Sequence, residues 1–185
     1  MLITVSGLHG TGKTTIGKLI AERLGLAHHS TGEIFRDMAR ERRMSLVEFS
    51  KHAAKHDEID KEIDERIKAI GSRGDAVLDG QLCWYFLQDM ADHKILFTCD
   101  DDTRVARIHG RDNEKQGGGL TLEDARVETI NRERIEQERY KKLYGVNLSD
   151  ENLLREGHDI IIDTTSKSIP EVVSEVLEAI TTASE

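Results

Sequence analysis

Short runs of apolar residues recur along the chain, and most are followed by a longer amphipathic stretch. The apolar runs have the length of strands buried on both faces, whereas the longer stretches repeat with the period of a helix. The apolar runs that predict strands are residues 2–6, 75–80, 93–99 and 158–163, and the short segment AHHS, residues 27–30, is interpreted as a fifth strand. The pattern therefore predicts an α/β fold, with a five-stranded parallel sheet between two layers of helices.

The amphipathic stretches differ in how clearly their ends are marked. They predict helices over residues 13–25, 31–43, 45–54, 57–74, 81–90, 101–111, 121–145 and 168–180. Ser45 with Glu48, and Thr121 with Asp124, have the spacing of side chains that cap a helix N-terminus. Between these elements, residues 112–120 are polar, rich in glycine and without periodicity, which predicts an exposed loop.

A chain of 185 residues is long enough for one domain with a substantial core. We expect the core to comprise residues 1–30, 75–111 and 145–185. Three consecutive helices predict an insert over residues 31–74, and the loop at 112–120, with its flanking helices, predicts a short lid.

The charge balance excludes some classes of partner. The formal net charge is −9, from 26 Lys and Arg against 35 Asp and Glu, so no broad basic surface is expected for nucleic acid or an anionic membrane. No apolar run approaches the roughly 20 residues of a membrane-spanning helix, and no signal segment is recognisable. We expect a cytoplasmic monomer whose Cys83 and Cys99 are reduced.

The strongest chemical signal lies between the first strand and the first helix. The sequence GLHGTGKT, residues 7–14, matches the complete P-loop pattern in the structural context that this pattern requires. Its glycines permit a tight turn whose N–H groups surround phosphates, Lys13 can reach the β- and γ-phosphates, and Thr14 can bind Mg²⁺. The residues expected to bind ATP here are Gly7, Leu8, His9, Gly10, Thr11, Gly12, Lys13, Thr14 and Thr15. The His9 side chain occupies a variable position of the pattern and is interpreted as an incidental loop residue.

A carboxylate is predicted beside this loop. Asp79 and Gly80 follow the apolar residues of the third strand, at the edge where parallel sheets bind their ligands. A carboxylate there can hold Mg²⁺ or its waters. Asp-Gly is also a common turn dipeptide, so the preceding buried strand is what favours a functional role.

Arginines occur at helical spacing on both sides of the predicted lid. Before it stand Arg104, Arg107 and Arg111, and after it stand Arg132 and Arg139 with Glu136 between them. Such arginines can close over phosphates, exclude water and neutralise charge during phosphoryl transfer. The alternative is that both helices carry solvated ion pairs, as surface helices often do.

Other P-loop classes are less consistent with the chain. A regulatory GTPase would carry an Asn-Lys-x-Asp element that reads guanine, and the sequence contains none. A nucleic-acid-dependent motor would be longer and more basic. A P-loop binding protein with little turnover and a small-molecule kinase both remain open.

Several segments together resemble the nucleoside monophosphate kinase family, and most of all its archaeal-type cytidylate kinases. The segments that carry the resemblance, over nearly the whole chain, are residues 7–15, STGEIFR (30–36), Asp79-Gly80, RIHGR (107–111), the Arg132, Glu136 and Arg139 set, ERYKKLYGVN (138–147) and DIIIDTT (159–165). The resemblance implies a P-loop NTPase fold and transfer of the γ-phosphoryl group of ATP to CMP, and also to dCMP. Adenylate or another nucleoside monophosphate kinase remains the alternative.

The resemblance also implies site residues. Thr31, Arg36, Asp79 and Gly80 would hold the acceptor nucleotide, Asp79 would serve Mg²⁺ together with Thr14, and Arg107 would pack near the donor base. Lys13, Arg111, Arg132 and Arg139 would contact the phosphates in transit, with Arg132 and Arg139 also contributing to the acceptor site. The chain departs from the family at Gln81, where an arginine often follows Asp-Gly; an amide can form hydrogen bonds but supplies no charge.

Overall fold

The computed structural model describes residues 1–116, 119 and 121–183. Within them, one parallel sheet has the strand order β2-β3-β1-β4-β5. Its strands are β1 (Leu2–Ser6), β2 (Ala27–Ser30), β3 (Ala76–Asp79), β4 (His93–Thr98) and β5 (Ile160–Asp163). The predicted five-stranded parallel sheet is therefore confirmed.

Helices cover both faces of the sheet. They are α1 (Lys13–Leu24), α2 (Thr31–Glu41), α3 (Leu46–Ala53), α4 (Asp57–Gly71), α5 (Cys83–Phe86), α6 (Asp101–Gln116), α7 (Leu122–Tyr144), α8 (Glu151–Glu156) and α9 (Ile169–Ala183). The capping boxes predicted at Ser45 with Glu48 and at Thr121 with Asp124 are both formed.

The buried apolar residues divide between the two faces of the sheet. On one face, α1 and α9 pack against the sheet around Val5, Ile20 and Val176. On the other, α2, α3 and α4 pack around Met38, Phe49 and Ile67. A third cluster around Trp84 and Val146 joins α5 to the segment after α7. The β1–α1 loop and the end of β3 thus meet at one edge of a firmly packed sheet.

Two predicted elements have the wrong bounds. The loop predicted over residues 112–120 begins later, because α6 continues to Gln116. The last three residues before the first glycine, Glu114, Lys115 and Gln116, are of types that favour helices. Gly117, Gly118 and Leu120 of that prediction lie outside the described residues. The helix predicted over residues 81–90 is reduced to the single turn of α5, since its successive apolar side chains enter two different clusters.

The short helix α8 was not predicted. Its six residues are too few to show a helical period, although Asp150 caps it by accepting hydrogen bonds from the N–H groups of Asn152 and Leu153. In the described part of the chain, no helix combines the length and the apolar character that crossing a membrane requires.

Candidate active site

The phosphate-binding loop connects β1 directly to the N-terminus of α1. Gly10 has a φ of 83°, and a Cβ at this position would overlap the backbone carbonyl of Arg104. The loop therefore requires glycine both for its turn and for its close approach to α6. Thr11 fixes the loop internally by donating from Oγ1 to the carbonyl oxygen of Leu8, at 2.9 Å.

Lys13 points back into this loop. Its Nζ donates to the carbonyl oxygen of Leu8 at 2.7 Å. Burial lowers the pKa of Lys13 to about 8, although the negative charges of Asp79, Glu136 and Glu133 act to raise it. An anionic phosphate entering the loop would offer this ammonium group a stronger partner than a carbonyl oxygen.

Asp79 lies at the end of β3 and is nearly completely buried. Its Oδ1 accepts hydrogen bonds from Thr14 Oγ1 and Ser30 Oγ, both at 3.1 Å, and its Oδ2 lies 2.8 Å from His28 Nε2. The hydroxyl of Thr14 and the carboxylate of Asp79 thus place two oxygen ligands side by side, as Mg²⁺ prefers. His28 was not identified from the sequence, because only the pairing of β2 with β3 brings it to Asp79.

Gly80 allows the insert to approach β3 closely. A Cβ on Gly80 would overlap Thr31 Oγ1 and crowd Cys83 Sγ. Thr31 begins α2 and donates from Oγ1 to the carbonyl oxygen of Asp79 at 3.1 Å. Thr31, Asp79 and Gly80, three residues predicted for the acceptor site, are therefore in direct contact. Burial raises the pKa of Cys83 to about 12, which leaves it a neutral thiol.

A buried ion pair supports the phosphate-binding loop from outside. Arg104 on α6 donates from NH1 to Glu133 Oε1 at 2.7 Å and from NH2 to Glu133 Oε2 at 3.0 Å. The same pair also binds the backbone of His9. Arg104 NH1 donates to the carbonyl oxygen of His9, and Glu133 Oε1 accepts from the N–H of His9, each at 3.1 Å. Arg104 therefore supports the loop from a buried position and is not an exposed lid arginine. Glu133 on α7 was not identified from the sequence, because it lies within a helix rich in charged residues.

The interpretation of His9 as an incidental loop residue is wrong. Its Nε2 lies 2.7 Å from Glu136 Oε2, and the side-chain amide of Gln81 lies 3.2 Å from His9 and 3.0 Å from Glu136. Burial disfavours the ionised form of Glu136, but the hydrogen bond and charge of His9, with the charge of Arg132, lower its pKa to about 2. An anchored carboxylate thus joins α7 to the phosphate-binding loop.

Two of the predicted phosphate-contacting arginines face the same cleft. Arg111 and Arg132 line it together with His9, between α6 and α7. Both are more than half exposed, Arg111 pairing with Asp112 at 2.8 Å and Arg132 with Glu136 at 2.9 Å. Long cationic side chains beside the phosphate-binding loop have the mobility and charge that binding a polyphosphate requires.

Arg107 lies at the other end of the loop, facing the segment after β5. It donates from NH2 to the carbonyl oxygen of Thr164 at 2.7 Å and from NH1 to Thr164 Oγ1 at 3.2 Å. Thr164 Oγ1 in turn donates to the carbonyl oxygen of Thr11 at 3.2 Å. Arg107 therefore links α6 to the phosphate-binding loop through Thr164, and its predicted place near the donor base stays a prediction.

The remaining predicted arginines lie on the insert and opposite it. Arg139 on α7 pairs with Asp60 on α4, Nε to Oδ1 at 3.3 Å. Arg36 on α2 is exposed, and among the described residues it has neither an ion pair nor a hydrogen-bonding partner. The structure thus does not bring Arg36 together with Lys13 or Arg132 through any direct contact.

Comparison with known proteins identifies both a domain family and close relatives. A family model described as "AAA domain" matches residues 3–141. The chain is 40% identical over 183 residues to a cytidylate kinase of Methanocaldococcus jannaschii, covering 97% of each protein. It is 38% identical to a cytidylate kinase of Aeropyrum pernix, covering 94% of this chain and 95% of that protein. A cytidylate kinase of Pyrococcus horikoshii is 39% identical, with 97% of this chain and 87% of the relative covered.

Solved structures support the fold independently. A shikimate kinase from Aquifex aeolicus superposes with a TM-score of 0.63 at 15% identity, covering 98% of this chain and 96% of that chain. A gluconokinase from Sinorhizobium meliloti gives a TM-score of 0.57 at 16% identity, covering 97% and 90%. These likenesses establish the α/β/α fold of P-loop kinases. The sequence identity over nearly the full length of several relatives goes further, and it places the chain in the cytidylate kinase family.

Proposed function

We propose that this protein is a cytidylate kinase that transfers the γ-phosphoryl group of ATP to CMP, and also to dCMP, giving ADP and CDP or dCDP. One structural observation carries the proposal most directly. Arg111 on α6 and Arg132 on α7 line one cleft together with His9 of the phosphate-binding loop, so cationic side chains from two helices lie beside that loop.

The chemistry requires no covalent intermediate on the protein. Lys13 would exchange the carbonyl oxygen of Leu8 for the phosphates of ATP, and the N–H groups of the loop would hold those phosphates in line. Arg111, Arg132 and Arg139 would neutralise the charge of the group in transit. Closing these side chains over the substrates would also exclude water, which limits wasteful hydrolysis.

Mg²⁺ is the metal that we propose for this site. Thr14 Oγ1 and Asp79 Oδ1 are the protein oxygens that would hold it or its waters, and a site with so few protein ligands is typical of Mg²⁺ bound mainly by phosphates. When bound, Mg²⁺ supplies positive charge to the phosphates. His28 and Ser30 orient the Asp79 carboxylate for this role through their contacts to its two oxygens.

CMP as the acceptor rests on the relatives named cytidylate kinase and on the residues at the insert. Thr31 and Gly80 lie in contact at the junction between insert and sheet, next to Asp79. We propose that Thr31, Gly80 and Arg36 hold the acceptor nucleotide there. Arg36 has no anionic partner among the described residues. Its guanidinium group would therefore be available to bind the phosphate of the acceptor.

A coupled assay that detects ADP formation tests the proposal. ATP and Mg²⁺ are offered with CMP, dCMP, UMP, AMP or GMP, and Lys13→Met provides the background of the same preparation. We expect the highest kcat/KM with CMP or dCMP. Fastest turnover with AMP would identify an adenylate kinase instead, and no transfer to any acceptor would favour a P-loop binding protein. Monomeric state, cytoplasmic location and the absence of nucleic-acid and membrane partners stay predictions.

A further inference from the structure

Three buried polar atoms along the inner side of α7 have no hydrogen-bonding partner among the described residues. They are Asp60 Oδ2, Arg139 Nε and Gln81 Oε1. Asp60 is the most enclosed of the three residues, at 6% exposure. Buried polar atoms without partners are costly, so a cluster of them indicates that a ligand or bound water completes the site.

These atoms follow one another outward from the phosphate-binding loop. Gln81 contacts Glu136 and His9, so it lies at the level of the loop. Arg139 follows Glu136 by three residues on α7, a rise of about 4.5 Å, and its partner Asp60 reaches this level from α4 of the insert. For its base to reach Asp60, a nucleoside monophosphate whose phosphate lies near the loop must extend in this direction.

The two oxygens of Asp60 are not equivalent. Oδ1 lies 3.3 Å from Arg139 Nε, whereas Oδ2 is the atom without a partner. Burial raises the pKa of Asp60, and the charge of Arg139 opposes that rise and favours the carboxylate. In the carboxylate form, which the charge of Arg139 favours, the side chain presents one oxygen without a partner that can accept a hydrogen bond.

An oxygen that accepts a hydrogen bond matches cytosine better than uracil. Cytosine carries an amino group that donates at C4, whereas uracil carries a carbonyl oxygen at the same position. A carboxylate oxygen attracts the first and repels the second. Resting on the proposed function, we propose that Asp60 determines acceptor specificity by accepting a hydrogen bond from the amino group of cytosine, while Arg139 positions its other oxygen.

A purely structural role for Asp60 is the competing explanation, because its neighbours also join α4 to α7. Asp57 lies 2.9 Å from Lys142 Nζ, and Asp64 Oδ2 accepts from the hydroxyl of Tyr144 at 2.6 Å. Asp57 has a partner and lies at the exposed end of this contact, which makes it a matched control. A structural defect would lower turnover of every acceptor alike, whereas a specificity defect changes their ratio.

The test is the ratio of kcat/KM for CMP to that for UMP in wild-type protein, Asp60→Asn and Asp57→Asn. In Asp60→Asn, the amide oxygen can take the place of Oδ1 beside Arg139, and the amide NH₂ then faces the base as a donor. We expect kcat/KM for CMP to fall about tenfold to a hundredfold and that for UMP to rise, with Asp57→Asn retaining the wild-type ratio. An unchanged ratio in Asp60→Asn would overturn the assignment.

A substrate without the amino group provides a second measurement on the folded wild-type protein. The 5′-monophosphate of 2-pyrimidinone riboside should be about tenfold to a hundredfold poorer than CMP for wild type, and no poorer than CMP for Asp60→Asn. An equal loss in both proteins would overturn the role of Asp60 while leaving a cytidylate kinase. Failure of wild-type protein to prefer CMP over AMP would overturn the proposed function, and this inference with it.

Discussion

Arg104 and Glu133 form a buried, two-pronged ion pair, with NH1–Oε1 and NH2–Oε2 distances of 2.7 and 3.0 Å, that binds both backbone groups of His9. Because the partners come from α6 and α7, the pair fixes the phosphate-binding loop to both helices beside the lid region. Removing one partner would leave a charge buried without compensation.

Arg104→Ala should therefore lower the free energy of unfolding by about 3–5 kcal/mol, measured by urea denaturation. Arg126→Ala is the matched control on α7, since Arg126 pairs with the exposed Asp102 and should cost less than about 1 kcal/mol. Equal losses in the two variants would contradict the supporting role of the buried pair.

Lys13 should take up protons when ATP binds. Its pKa of about 8 in the free loop leaves part of the population neutral at pH 8, and the phosphates would raise that pKa by favouring the ammonium form. ATP affinity should consequently fall as the pH rises from 7 to 9. Calorimetric titrations in buffers of different ionisation enthalpy would measure the uptake directly; Lys13→Met should bind more weakly and lose the Lys13 component of this uptake. Proton release by wild type, or no difference between the two proteins, would contradict this account.

Glu136 should stabilise the protein at neutral pH and cease to do so in acid. Its pKa falls from an ordinary value of 4.5 to about 2 on folding, so the stabilisation is present above about pH 5 and is lost as the pH falls. Between pH 5 and pH 3, wild type should lose about 2 kcal/mol more than Glu136→Gln. Glu138→Gln, which alters an exposed ion pair with Arg134, should retain the wild-type slope. Parallel slopes for wild type and Glu136→Gln would refute the prediction.

Gly80→Ala should disturb the junction between insert and sheet. The added methyl group would overlap the hydroxyl of Thr31, so we expect the free energy of unfolding to fall by about 1–3 kcal/mol. We also expect the KM for CMP to rise more than the KM for ATP. Gly110→Ala in α6 meets no atom within 4 Å and should instead stabilise the protein slightly. A normal KM for CMP in Gly80→Ala would remove Gly80 from the acceptor site.

Arg139→Ala should reduce the rate of transfer far more than the affinity for ATP. The residue contacts the insert through Asp60, so its removal is expected to affect the acceptor and the group in transit more than bound ATP. Single-turnover measurements of transfer and equilibrium titration of ATP separate these quantities. Normal turnover in this variant would limit Arg139 to a structural role, through its ion pair with Asp60.

The sequence predicted features determined by adjacent residues. The phosphate-binding loop is specified by a continuous motif, and the two capping boxes by residues three positions apart. The end of α6 was misplaced because Asp112–Gln116 is as polar as a loop while consisting of residues that a helix accepts. Polarity alone did not distinguish the two.

Contacts across the fold could not be predicted in the same way. Arg104, Arg107 and Arg111 share one helix and one spacing, yet Arg104 is buried against Glu133, Arg107 holds Thr164, and Arg111 faces the cleft. Their different environments arise from packing against other elements. Likewise, His28 and Asp60 acquire their roles only when β2 pairs with β3 and α4 packs beside α7.

Helix α7 contacts both regions that would hold nucleotides. Through Glu133 and Glu136 it holds the phosphate-binding loop, and through Arg139, Lys142 and Tyr144 it holds α4 of the insert. A displacement of this helix on binding one nucleotide therefore alters the site for the other. Such thermodynamic linkage is reciprocal: the factor by which ATP changes the affinity for the acceptor equals the factor by which the acceptor changes the affinity for ATP.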